Sequence, residues 1–288
     1  MKILVTGRSG QVGYELMRSL QPLGEVIGID QDEMDLADLD QVRDVIRRLR
    51  PGLIVNPAAY TAVDKAESEP ELAMRINGLA PGVMAEEAAR LGAALVHYST
   101  DYVFDGTKQG AYTESDAPCP INVYGRSKLA GDQAIAASGV AHLILRTSWV
   151  YGARGKNFLL TMMRLAAERD ELRIVADQHG APTWCRTIAD TTASILAQAS
   201  ASADRDGWWR EQGGLYNLTA QGATTWHGFA DALLDRAAKK PTLVPISADE
   251  YPVPAARPAN SRLSCEALMQ RFCHLPHWRD ALALCQEP

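Results

Sequence analysis

The sequence predicts an α/β protein built on a doubly wound parallel sheet, and three observations carry that prediction. Short apolar runs rich in β-branched residues recur at Lys2–Thr6, Glu25–Asp30, Leu53–Asn56, Leu95–Thr100 and His142–Ser148. Segments of helical periodicity separate them. A glycine-rich turn, Gly7-Arg8-Ser9-Gly10-Gln11-Val12-Gly13, joins the first run to the first such segment. Alternating β and α segments of this length pair their strands in parallel and place helices on both faces.

The 288-residue chain is 47% hydrophobic and 22% charged, which suits one large domain with a core and a smaller appendage. Its formal charge is −6 with acids and bases interspersed, so no basic block offers itself to nucleic acid or to an anionic membrane. The five cysteines, Cys119, Cys185, Cys265, Cys273 and Cys285, are odd in number, scattered and without a CxxC pair. That pattern fits free thiols in a reducing compartment better than a disulfide framework or a zinc site. The first residues read as a strand rather than a leader, and no apolar run approaches the length of a membrane span. A cytoplasmic protein is the expectation.

Lys2–Thr6 is the first strand. The turn after it lets backbone N–H groups approach a pyrophosphate, which then lies at the positive end of a helix carrying Val12, Leu16 and Leu20. Gly7, Gly10, Gln11, Val12 and Gly13 are therefore candidate dinucleotide contacts, and the sheet is of the Rossmann kind. The second strand ends in Asp30, about 20 residues after the turn, where an acid can bind the ribose hydroxyls of the adenosine half. Asp30 favours NADH by charge. Arg8, inside the turn, can pair with a 2′-phosphate and favours NADPH. The two residues disagree, and the preference stays open. Asp35 and Leu36 are placed beside the adenine. Leu39–Arg50 is a helix ended by Pro51 and Gly52. Leu53–Asn56 is the third strand, and the small residues after it put Ala58, Ala59 and Tyr60 along the pyrophosphate path.

Leu95–Thr100 is the fourth strand. Ligands bind outside the carboxyl ends of such strands, so Thr100, Asp101 and Tyr102 reach the crevice. Tyr124-Gly125-Arg126-Ser127-Lys128 opens the next helix, and the spacing of four puts Tyr124 and Lys128 on one helix face. A nearby ammonium favours the phenolate, so the Tyr124 pKa is expected to be lowered, as suits an acid in carbonyl chemistry. On its own the pair reads equally well as a surface tyrosine beside a solvated lysine. His142–Ser148 is the fifth strand, followed by Trp149.

Beyond this point the texture changes, and all six tryptophans lie at or after Trp149. Asn157–Glu168, Thr187–Ala199 and residues 225–238 read as helices, and Leu215–Leu218 as a further strand of the sheet. Ser200–Gly207 reads as an exposed polar linker and 241–258 as irregular, proline-rich chain. Arg257-Pro258-Ala259-Asn260-Ser261-Arg262-Leu263 carries two arginines whose forks can grip a diphosphate. Residues 1–152 and 186–218 are assigned to a dinucleotide-binding domain. Residues 153–185 and 219–288 are assigned to a smaller, interleaved substrate domain.

Taken in order, Gly7–Gly13, Ala59–Glu67, Ser99–Gly106, Tyr124–Lys128, Arg146–Tyr151, Gly180–Thr183 and Arg257–Leu263 resemble the extended short-chain dehydrogenase/reductases. The resemblance runs from residue 2 to about residue 265. It implies reduction, with NADPH or alternatively NADH, of the C4 ketone of a dTDP-linked 6-deoxy-4-hexulose. It further implies that Thr100, Tyr124 and Lys128 are catalytic. Tyr124 would protonate the carbonyl oxygen, Thr100 would hydrogen-bond it, and Lys128 would lower the Tyr124 pKa and hold the nicotinamide ribose. Trp149 is expected against the sugar or the thymine, with Asp101 and Tyr102 lining the crevice. Arg257, Asn260 and Arg262 are expected at the diphosphate and nucleotide. Some members form a magnesium-linked dimer through glutamates, one of them just after Gly-Ala-Pro-Thr. Here Arg186 stands near that place and only Glu15 remains, so no metal is expected, in a monomer or a homodimer. Two other readings stand beside this one. A nucleotide-sugar dehydratase or epimerase would need a base where Tyr102 follows Asp101. A regulatory subunit resembling the β subunit of methionine adenosyltransferase would act through a protein partner, and no residue selects for it.

Overall fold

In a computed structural model of the chain, which describes residues 1–237 and 239–287, the apolar runs become strands buried on both faces. The order is β1 (Lys2–Thr6), α1 (Gln11–Ser19), β2 (Glu25–Ile29), α2 (Leu39–Leu49), β3 (Leu53–Asn56), α3 (Val63–Ala66), α4 (Pro70–Met74), α5 (Ala80–Leu91), β4 (Ala94–Thr100), α6 (Val123–Ala137) and β5 (His142–Thr147). It continues with β6 (Val150–Tyr151), α7 (Phe158–Glu168), β7 (Glu171–Val175), β8 (His179–Gly180), β9 (Thr183–Trp184), α8 (Cys185–Ala201), α9 (Arg205–Gln212) and β10 (Gly214–Asn217). The last elements are β11 (Thr224–Thr225), α10 (Trp226–Leu234), β12 (Thr242–Ile246), α11 (Glu266–Arg271) and α12 (Trp278–Cys285).

Six strands form one sheet in the order β2-β1-β3-β4-β5-β10, and every neighbouring pair is parallel. Successive side chains on a strand face opposite ways. Ile3, Val5, Val55, Val96 and Leu145 pack with Leu16 of α1 and Ile188 of α8. Leu4, Ile54, Leu95 and Ile144 pack on the other face with Val42 and Ile46 of α2, Met84 of α5 and Ile135 of α6. Two covered faces explain why the strands read as unbroken apolar runs. Each such side chain stabilises the fold by about 1.5–3 kcal/mol. The winding reverses between β1 and β3, and the crevice outside the carboxyl ends of those strands is where such sheets take a ligand. A separate apolar cluster joins Leu159 and Met162 of α7, Leu172 and Ile174 of β7, Phe229 and Leu233 of α10, and Trp278 of α12.

Three expectations change. Ser200–Gly207 is not a linker, because α8 runs to Ala201 and Asp204 caps α9, its Oδ1 accepting the Gly207 N–H at 2.8 Å. The chain over 241–258 is not irregular throughout, because β12 pairs in parallel with β7. Pro245 is tolerated there since the pair has only two strands and a missing donor can face outward. The helix expected over 225–238 spans Trp226–Leu234, with the Thr225 hydroxyl accepting the Gly228 N–H at 3.0 Å. Residues 238 and 288 lie outside the described residues.

Candidate active site

A cleft of about 510 Å³ crosses the carboxyl ends of β1, β3, β4 and β5. Gly7, Gly10, Gln11, Val12, Gly13, Asp30, Asp35, Leu36, Ala58, Ala59, Tyr124 and Lys128 line it, as their sequence positions suggest. Gly7 is left-handed at φ 60°, and a Cβ there would come within 3.1 Å of the Ala58 Cβ. A Cβ on Gly13 would come within 2.0 Å of the Gly7 carbonyl oxygen, so only glycine lets the turn close. Gly10 caps α1 without a side-chain hydrogen bond, and the first turn holds no acid. Its N–H groups are therefore available to an anion. Gly155 and Lys156 line the cleft as well, and Asn157 Nδ2 ties their loop to α1 by donating to Gln11 Oε1 at 2.8 Å. No spacing in the sequence marks these residues.

Arg8 and Tyr60 stand behind the lining. Asp30 Oδ1 accepts from the Ser9 N–H at 3.2 Å and the Ser9 hydroxyl at 3.1 Å. Arg8 Nε lies 3.4 Å from Asp30 Oδ2, and Nη1 lies 2.9 Å from Glu33 Oε2. The two residues that disagree on cofactor are thus paired with each other, and Glu33 is a third member that sequence reasoning missed. Tyr60 is braced by Asn77, whose Oδ1 accepts its N–H at 2.8 Å while Nδ2 donates to Ser127 Oγ on α6 at 3.0 Å. Asn77 sits in a wide π-type turn, Arg75–Leu79, a local geometry often found at sites.

At the other end, Asn122 Oδ1 caps α6 by accepting the Gly125 N–H at 2.7 Å. A Cβ on Gly125 would meet the Tyr102 carbonyl oxygen at 2.1 Å, so this glycine permits the approach that sets Tyr124 beside the end of β4. The Tyr124 ring meets Tyr102 edge-on, with centroids 5.6 Å apart. Thr100 Oγ1 donates to Asp101 Oδ1 at 3.0 Å and accepts the Tyr102 N–H at 3.2 Å. Lys128 is buried, and its Nζ donates to the Tyr98 carbonyl at 2.7 Å and lies 3.0 Å from His97 Nε2.

These contacts correct the expected electrostatics. Burial lowers the Lys128 pKa to about 8, against the pull of Asp132. The Tyr124 pKa is raised, not lowered: burial is the main cause, Asp101 and Asp132 add to it, and the hydrogen bond with Thr100 opposes. The reason is geometric, since the Lys128 ammonium is turned to His97 and the Tyr98 carbonyl rather than to Tyr124. A raised pKa keeps the phenol protonated, the form a proton donor needs. Burial pushes Asp101 up to about 6, with hydrogen bonds from Ser261 and Thr100 opposing.

The substrate residues read from the sequence divide. Arg257 reaches the catalytic end: its Nη2 donates to Asp64 Oδ2 at 2.8 Å, and its guanidinium carbon lies 5.8 Å from the Tyr102 ring centroid. Asn260 and Arg262 are held instead by the chain at 108–110. Asn260 Nδ2 donates to the carbonyls of Lys108 at 2.6 Å and Gly110 at 2.8 Å. Arg262 Nε donates to Asn260 Oδ1 at 2.8 Å, and Nη2 to the Gln109 carbonyl at 2.5 Å. Trp149, left-handed at φ 46°, stacks on Trp226 with centroids 3.7 Å apart. Its indole covers Gly180, where a Cβ would come within 2.5 Å.

Residues 1–288 match the family model described as the RmlD substrate binding domain. The chain is 52% identical to the dTDP-4-dehydrorhamnose reductase of Burkholderia thailandensis over 294 residues, covering 99% of this chain and 98% of that protein. It is 45% identical to that of Escherichia coli, covering 97% and 95%. It matches the crystal structure of dTDP-4-dehydrorhamnose reductase from Bacillus anthracis in complex with NADP at a TM-score of 0.90 and 35% identity, covering 99% and 98%. On this likeness, and on a cleft that joins a glycine-turn cradle to a tyrosine and a lysine, the chain belongs to the dTDP-4-dehydrorhamnose reductase family within the extended short-chain dehydrogenase/reductases.

Proposed function

We propose that the chain reduces the C4 ketone of dTDP-4-dehydro-L-rhamnose to dTDP-L-rhamnose, with NADPH as cofactor and NADH as an alternative. One observation carries this reading: Tyr124 and Lys128 line the same cleft as the glycine turn. The free N–H groups in the first turn of α1 would hold the pyrophosphate of a dinucleotide, and the bound cofactor would supply the hydride to C4. Tyr124, kept protonated by burial, gives its proton to the oxygen as charge grows there. Thr100 turns its hydroxyl from Asp101 to that oxygen. Lys128 holds the nicotinamide ribose with the donor it does not spend on Tyr98 and His97. Arg257 exchanges Asp64 for the diphosphate, and Trp149 packs on the sugar or the thymine.

The dehydratase alternative is disfavoured by Tyr102, which stands where the second acid would be. Burial, with Asp101 adding, raises its pKa, and a phenol so held is no base. The separate apolar cluster supports assigning 153–185 and much of 219–288 to the substrate domain, whereas Cys265, Leu268 and Leu275 around α11 pack into the core of the six-stranded sheet. No helix among the described residues is long and apolar enough to cross a membrane, and a cytoplasmic enzyme is proposed. A monomer or homodimer without a bridging metal is proposed, because Arg186 stands near the place of the expected carboxylate. The test is NADPH oxidation with the 4-keto sugar and identification of the product. One cofactor oxidised per sugar reduced supports the reading, and turnover that regenerates the cofactor refutes it.

A further inference from the structure

Asn122 precedes α6 and is only 1% exposed, and the two ends of its side-chain amide bond backbone from different parts of the chain. Oδ1 accepts the Gly125 N–H at 2.7 Å, which caps the helix carrying Tyr124. Nδ2 donates to the Ala256 carbonyl at 2.8 Å, 134 residues further on and next to Arg257. A backbone N–H can only donate and a carbonyl can only accept, so the two partners fix which end of the amide is oxygen.

The surroundings hold the same segments together. Asp64 of α3 accepts the Ala255 N–H at 3.2 Å on one oxygen and Arg257 Nη2 at 2.8 Å on the other. Glu67, just after α3, accepts the Val123 N–H at 2.8 Å. One short stretch thus grips both the segment bearing Arg257 and the start of α6, and the Asn122 amide joins those two directly. A helix cap alone does not need an amide. Asp and Ser accept from the first turn as well as Asn does, and a carboxylate is favoured there by the helix dipole. What asparagine adds is the donor, and the donor goes to the Arg257 segment.

We infer that Asn122 is a positioning residue that ties the grip on the sugar's diphosphate to the placement of Tyr124, so that a nucleotide seated at Arg257 orders the first turn of α6. The inference rests on the proposed reading, in which Arg257 holds the diphosphate and Tyr124 gives the proton. A second route runs through Tyr102. The Arg257 guanidinium carbon lies 5.8 Å from that ring's centroid, and the ring meets Tyr124 at 5.6 Å. This route bypasses Asn122, so substitution at Asn122 separates the two.

Asn122→Asp has the same shape, keeps the cap and turns an acceptor toward the Ala256 carbonyl. Asn122→Ser keeps a cap without adding charge and loses the amide nitrogen. Amide hydrogen exchange reads the tie without turnover. In the native enzyme, saturating dTDP slows exchange at 255–257 and in the first turn of α6 together. In both variants it slows exchange at 255–257 only. Each variant lowers kcat about 10²-fold, the cost of misplacing a reacting group by roughly 1 Å, while the sugar KM and NADPH affinity stay near native. In an Arg257→Ala background the same substitutions lower kcat by no more than about twofold, because the grip they transmit is gone. Protection of both segments by dTDP in a folded variant overturns the inference and assigns the coupling to Tyr102. Equal losses of kcat in the two backgrounds overturn it as well. So does protection confined to 255–257 in the native enzyme, which decides the matter if neither variant folds. If dTDP protects nothing in the native enzyme, the functional reading fails and the inference falls with it.

Discussion

The two ends of the cleft are built in different ways. At the glycine turn the shape is made by backbone: Gly7 and Gly13 leave no room for a Cβ, and Gly10 leaves the first turn of α1 uncapped. At the proposed substrate end the groups are side chains that already hold protein partners. Arg257 holds Asp64 and Trp149 stacks on Trp226. A backbone cradle is complete when the chain folds, so an anion arriving there orders little. A side-chain site must give up one partner for another, and only the surplus appears as affinity. On the proposed assignment, cofactor binding is preorganised and substrate binding is an exchange.

Four substitutions press on that contrast. Gly13→Ala drives a Cβ into the Gly7 carbonyl and is expected to weaken NADPH binding about 10²-fold, the cost of displacing a site by roughly 1 Å. Calorimetric titration checks it, and unchanged affinity would place the cradle elsewhere. At the other end, Arg257→Ala is expected to raise the sugar KM about tenfold, the worth of one charge-assisted hydrogen bond, with NADPH affinity unchanged. Arg262→Ala removes bonds to Asn260 and Gln109 instead. It is expected to cost about 1 kcal/mol of stability and to leave KM alone. Equal KM effects from the two arginines would erase the distinction drawn between them. The smallest effect concerns cofactor choice. Glu33→Gln removes one of the two acids paired with Arg8 and is expected to raise the NADPH-to-NADH ratio of kcat/KM roughly two- to fivefold, the size of an exposed ion pair. A ratio that falls would mean that Glu33 assists Arg8 rather than restraining it.

The cradle was legible in the sequence for the same reason that it is rigid. A strand, a glycine turn and a helix are local, and the steric demand on each glycine comes from residues close in sequence or from the adjoining strand. The parallel order followed from runs buried on both faces. What escaped reading depends on partners far along the chain. β12 gains its identity from β7, and Pro245 disguises it. The polar segment at 204–207 turns helical because Asp204 caps it ahead of Trp208 and Trp209. Arg257, Asn260 and Arg262 looked alike in one heptapeptide, yet the fold sends the first to Tyr102 and the others to residues 108–110. Asn122 looks like an ordinary helix cap, and nothing near it in sequence announces its partner at Ala256. The Tyr124 spacing named the right neighbours but the wrong electrostatics, because burial outweighs an ammonium that faces away.

The central claim is that Tyr124 is the proton donor at the end of a cradle that binds cofactor without it. Tyr124→Phe tests this most directly, with kcat and NADPH affinity measured on the same variant. A loss of about 10²–10⁴ in kcat with NADPH affinity unchanged is the expected result. Near-normal turnover in a folded Tyr124→Phe enzyme would contradict the account.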